Sequence, residues 1–192
     1  MDKHAEENRF VQYLVTLGLD RDKGESRARA ALATLRKGLG KPPGTDLPSL
    51  AYIVPRLPSN SRRHDHYFLV AALFASHPTH SASVGGIGDT FRQVAEKVHS
   101  GGVDGTSTER RFVQLLDAHR EELPLHLRHA ISLARSRDKV PVNYTRLLYD
   151  LGNWDQGDRR VQRQWASEFW TRKDASGMET NIVAGSTAVE GA

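Results

Sequence analysis

With 192 residues, 38% of them hydrophobic and 26% charged, the chain is sized for one ordinary domain or two small lobes sharing a core. The absence of cysteine excludes disulfides and thiolate metal sites and fits a reducing cytosol; the apolar run at 68–75 is too short to span a bilayer, and the polar opening of residues 1–10 is no secretory leader, so a cytoplasmic protein is expected. The net charge of +4 is unevenly spread: residues 174–192 hold Asp174, Glu179 and Glu190 but no Lys or Arg, which leaves 27 cations against 20 acids in the body, a balance of +7 that favours nucleic acid, an acidic protein or an anionic membrane as partner.

The first half reads as helices. Residues 4–19 set Phe10, Tyr13, Leu14 and Leu17 on one side and are expected to stop at Gly18. Residues 24–39 bury Ala28, Ala31, Leu32, Leu35 and Leu39 and carry Arg27, Arg29, Arg36 and Lys37 elsewhere; Arg29 and Arg36 are two turns apart, hence aligned, and no acid follows Glu25 until Asp46. Pro42, Pro43, Pro48, Pro55 and Pro58 then confine the chain to a turn, a short helix around 50–54 and another turn. Residues 61–77 resume as a helix with an apolar centre, entered through Arg62, Arg63 and His64. A Ser- and Gly-rich loop leads to a helix over 89–98 with Phe91, Val94 and Val98 inward. Three glycines within 100–105 mark the boundary between an N-terminal lobe (1–105) and a C-terminal lobe (106–173), and the small, polar, aperiodic stretch 174–192 reads as a disordered tail.

Residues 106–170 are the densest part, four amphipathic segments strewn with arginine. Ser107 and Thr108 can cap a helix carrying Phe112, Leu115, Leu116 and His119. Pro124 suits the first turn of the next, with Leu127, Ala130, Ile131 and Ala134 inward. A third runs from Asn143 through Leu147, Leu148 and Leu151 to Trp154, and a fourth from Asp158 through Val161, Trp165 and Phe169. At about 100° per residue, Arg128, Ser132, Arg135 and Lys139 form one stripe free of carboxylates, while Arg159, Arg163 and Trp170 lie opposite Val161 and Trp165. Arg110 points away from Phe112 and Arg111 lies at its flank. Stripes of this kind could follow a phosphate backbone, because the guanidinium presents several donors in a planar fork and keeps its charge; taken singly, each also fits a solvated helix face. Trp154, Trp165 and Phe169 are expected in the core, and Trp170 either to stack on a base or to cover the helix end. The whole is expected to be all-α, a two-lobed bundle of eight or nine helices without strands.

No enzyme constellation emerges. The nine histidines include the pairs His126/His129, His64/His66 and His77/His80, and one isolated Glu96-x-x-His99, which falls short of the repeated motif of a di-iron bundle. They read as structural. There is no nucleophile elbow, Gly40-Lys41 is followed by Pro42 rather than Ser or Thr, and the glycines at 85, 86 and 88 follow a loop rather than a strand. No cofactor and no catalysis are expected, which points to a binding subunit.

The ordered set ERRFVQLL (109–116), LPLHLRHAISL (123–133), VPVNYTRLLYDLGNW (140–154) and RRVQRQWASEFW (159–170) resembles the CasB family, the small subunit of the type I-E Cascade complex, a CRISPR surveillance machine. The likeness is strong over the last third and weaker before it. It implies an all-α, two-lobed protein of which two copies line the belly of a guide-RNA complex beside its backbone and large subunits, holding nucleic acid in a positive channel during R-loop formation. Sequence would be read by guide pairing and only backbone and shape by protein. The implied role is sequence-indifferent binding of single-stranded DNA, with guide RNA as a further contact and no nuclease activity. Arg110, Arg111, Arg128, Arg159, Arg160 and Arg163 lie in the matching blocks; Arg135 and Lys139 join by helical geometry, and Arg27, Arg29, Arg36, Arg62 and Arg63 come from the weaker-matching half. His129 stands after Arg128 where a second basic residue is common in relatives. The alternative class is an assembly protein whose basic faces dock on acidic partners without touching nucleic acid.

Overall fold

Nine α-helices run through the described residues of the computed structural model, which are 5–58, 64–98 and 106–171. They are α1 (Ala5–Asp22), α2 (Ser26–Arg36), α3 (Leu47–Ile53), α4 (Asp65–Ser76), α5 (Ile87–Val98), α6 (Ser107–Asp117), α7 (Leu123–Ser136), α8 (Tyr144–Gly152) and α9 (Arg160–Trp170), with a turn of 3-10 helix at Val54–Arg56. Among the described residues there is no strand, so the all-α expectation holds; one isolated bridge pairs His80 with Val142. No helix among these residues is long and apolar enough to cross a membrane.

Local chemistry sets the ends, in places differently from the sequence reading. The cap of α6 is Thr106, whose hydroxyl accepts from Glu109 N at 3.0 Å, rather than Ser107 or Thr108. Asn143 caps α8 by accepting from Arg146 N (3.0 Å) and also donates to the Val84 carbonyl (2.8 Å), tying α8 to the loop before α5. Gly18 does not end α1: the helix runs on to Asp22, and Gly18 is buried within it against Phe74 and Pro78. α6 stops at Asp117, leaving His119 exposed beyond it. α7 stops at Ser136, and Asp138 and Lys139 take left-handed backbone angles (φ 50° and 53°), so the helical stripe ends at Arg135.

α4 is the hub. Tyr67 and every residue from Val70 to Ala75 are buried, and the helix packs against α1, α2, α3, α7 and α8. Its rings meet those of two neighbours: Phe10 of α1 edge-on to Tyr67 at 4.9 Å and Tyr144 of α8 edge-on to Phe74 at 5.2 Å. α5 packs on α9, α6 and α7, and the buried side chains of all these helices belong to one cluster. The glycines at 85, 86 and 88 serve this packing: a Cβ on Gly88 would fall under 3.0 Å from the Trp165 carbonyl, and one on Gly86 would press on Trp165 and Glu168. Glycine here lets α5 cross α9 at backbone distance. Trp165 itself donates to Asp150 (2.7 Å), which also holds Arg146 at 2.8 Å, and so joins α9 to α8. The expected lobe boundary at 100–105, the tail at 174–192, and Arg62 and Arg63 lie outside the described residues.

Candidate nucleic-acid interface

The C-terminal end of α4 gathers cations from both halves of the sequence. Unsatisfied carbonyls at a helix end carry partial negative charge and draw donors. Arg36, the last residue of α2, donates from Nε to the Ala75 carbonyl at 3.1 Å, and Arg135 of α7 donates from Nη1 to the next carbonyl, Ser76, at 3.4 Å. One residue on, His77 is buried against the segment that holds Lys139. Two turns before Arg135, Arg128 lies over the loop after α2, so close that a Cβ at Gly40 would sit 3.1 Å from its Nη1. Arg36, Arg128, Arg135 and Lys139 are thus brought to one surface, all exposed. Lys37 and Lys41 extend it; Lys37 is exposed, and Lys41 pairs with the buried Asp46. Neither was among the candidates, although Lys37 follows Arg36 directly.

The remaining cations are disposed elsewhere. Arg29 turns back to the Gly24 carbonyl at 2.5 Å, so its expected alignment with Arg36 is not realised in the side chains. Arg27 lies in a cleft of α1, α2 and α3 beside Tyr13 and Tyr52, where Arg56 sits 3.6 Å above the Tyr13 ring. Arg159 closes the end of α6 by donating to the Leu116 carbonyl at 2.7 Å and lies 3.6 Å from Asp117. Arg163 lies 3.8 Å from Asp158, while Arg160 is exposed at the start of α9. Arg110 and Arg111 are exposed on α6, the second bordering a cleft against α7.

Aromatic side chains divide as expected. Trp154, Trp165 and Phe169 are buried, and Trp154 donates to the Ala118 carbonyl at 3.2 Å. Trp170 is 40% exposed, covers Phe112 and Phe169 edge-on, and donates to Glu109 at 2.9 Å. The conspicuous histidines bond to backbone: His77 Nε2 donates to the Val140 carbonyl (2.8 Å), and His80 Nδ1 lies 3.2 Å from Tyr144 N. Burial holds both imidazoles below their usual pKa. Among the described residues no group of three His, Cys, Asp or Glu is placed to hold a metal ion.

A surface of this make-up can grip a polyanion along its charge. Over residues 31–170 the sequence matches the family model described as CRISPR-associated protein Cse2. The chain belongs to the Cse2 family. A curated Cse2 protein of Thermus thermophilus is 31% identical over 165 residues, covering 84% of this chain and 88% of that relative. Among solved Cse2-like structures, CasB from Thermus thermophilus has 30% identity and a TM-score of 0.68, covering 85% of this chain and 97% of its own. A chain in a structure described as a CRISPR RNA-guided surveillance complex shares the fold, with a TM-score of 0.63 at 23% identity over 83% of this chain and 92% of its own. The Cse2 match takes in α6 to α9, which hold the blocks that resemble CasB, and reaches back to Ala31 in α2.

Proposed function

We propose that this Cse2-family protein is the non-catalytic small subunit of a type I-E CRISPR Cascade surveillance complex, acting in the cytoplasm in antiviral defence. Its basic surface holds single-stranded DNA of the R-loop, and guide RNA where the two meet, by backbone contacts that do not read sequence. In the complex it lies beside a second copy of itself, the backbone subunits and the large subunit. The observation that carries the reading is the convergence of Arg36, Arg128, Arg135 and Lys139 at the end of α4, with Arg110 and Arg111 on α6 as a further contact region. Family membership and the fold shared with a chain of an RNA-guided surveillance complex support the same assignment.

Counterion release supplies the test. Each phosphate contact contributes about 0.7 to the slope of log affinity against log salt on a single strand. Reversing Arg110, Arg111 and Arg128 to Glu is therefore expected to lower that slope by about 2 and to leave the helical circular dichroism unchanged, because all three are exposed. The oligonucleotide is expected to emerge from the assay uncut. A folded triple variant that keeps the wild-type slope would transfer the basic faces to acidic protein partners.

A further inference from the structure

Ser132 belongs to two features at once. On α7 it stands between Arg128 and Arg135 in the basic row, and it also lines a cleft of about 390 Å³ between α5, α6 and α7. Leu133 supplies apolar surface there, with the small part of Phe91 left uncovered by the core, while Arg111, His126 and His129 border it with one fixed cation and two imidazoles. No carboxylate lines the cleft among the described residues. Its volume lies in the range of sites that take a small ligand, and its chemistry combines apolar contact with hydrogen-bonding groups and one cation at the rim. A mononucleotide unit has the matching parts: a planar base with polar edges, and a phosphate.

We propose that this cleft receives one unstacked base of the single strand whose backbone follows Arg128 and Arg135, an inference that rests on the nucleic-acid reading above. The base lies against Leu133 and the uncovered edge of Phe91, the hydroxyl and imidazoles meet its edge, and Arg111 meets the adjoining phosphate. Because every base has a π-face, the site takes a base without selecting which. The surface thereby acquires a register along the strand that phosphate contacts alone do not give.

Binding of a short single-stranded oligonucleotide is compared with that of an all-abasic strand of equal length and phosphate number, across a salt series. The intact strand is expected to bind on the order of tenfold tighter, at the low end of what stacking one base contributes, with the same salt slope. The double variant Ser132→Leu/Ser136→Leu narrows the cleft without altering charge, and both positions are exposed helix residues; it is expected to erase the preference and leave the slope in place. Equal affinity for the two strands with the salt slope intact overturns the cleft but spares the backbone reading. So does a preference that survives in the double variant, which would locate base stacking elsewhere, for instance on Trp170. Absence of any salt-dependent binding removes both proposals together.

Discussion

His77 shows how one residue can serve the fold while lying next to the basic surface proposed to bind nucleic acid. Burial holds its imidazole below the usual value; the bond to Val140 opposes the shift, and Arg135 and Lys139 add to it. The folded protein therefore keeps His77 neutral, whereas the unfolded chain protonates it near pH 6.5. Its contribution to stability is complete above about pH 6.5 and is lost as the pH falls from there through the folded value. Urea midpoints at about pH 7.5 and about pH 5.5 should drop toward acid in the wild type and drop less in His77→Gln, which retains an amide donor for Val140. Parallel pH profiles for the two proteins would refute this role. Burial likewise lifts the Glu168 carboxyl, which titrates in the opposite sense, so the wild-type comparison is what isolates His77. At this scale the sequence was only partly informative. That His77 and His80 are structural could be read from the lack of a metal-ligand pattern, but a partner 63 residues away at Val140 could not.

At the scale of elements, two junctions carry the architecture. The α5/α9 crossing tolerates no side chain at position 88, because the neighbour it would meet is backbone rather than a movable side-chain tip. Gly88→Ala is expected to cost about 3 kcal/mol or more, at or above the upper range for overpacking, seen as a large fall in melting temperature. Gly157→Ala, with nothing within 4 Å of its new Cβ, is expected to be near neutral. Asn143 combines an N-cap with a bond to the preceding loop, so Asn143→Ala should exceed the typical cost of a lost cap of about 1 kcal/mol and approach about 2 kcal/mol in a chemical melt. Most of the helices were legible because apolar residues recur at 3.6-residue spacing, and α4 because its apolar run is long and nearly continuous. The ends were less so: Gly18 resembles a stop in sequence but lies within α1 about one turn before its end, and the turn at 138–139 uses left-handed angles at Asp and Lys rather than at a glycine. The glycines at 85, 86 and 88 read as a loop because nothing local signals that Trp165 lies against them.

For the whole molecule, charge count and charge location separate. Sequence identified a basic body and a set of arginines by motif and helical phase, but not which partners inside the fold each guanidinium takes, some of them local and some about forty residues away. Arg29 and Arg36 are in phase on α2, yet one folds back on its own helix start and the other reaches across to α4. Arg159 and Arg163 sit in a matching block, yet each has an acid nearby that a phosphate would have to displace. Arg163→Ala is accordingly expected to reduce the salt slope of single-strand binding by less than Arg128→Ala, for which a loss of about 0.7 is expected; a larger loss for Arg163→Ala in parallel titrations would shift the interface toward α9.

The two carbonyls at the end of α4 have one more consequence. Arg36 and Arg135 are long side chains whose ordering ordinarily weighs against association, up to about 1.5 kcal/mol for each one immobilised on binding. Here the fold already restrains them, Arg36 more than Arg135, each by a bond to a neighbouring peptide group of the same helix. In the proposed binding the surface meets the strand preorganised, with part of the entropic loss incurred during folding, and affinity gained this way should persist as a slower dissociation rate rather than a faster encounter.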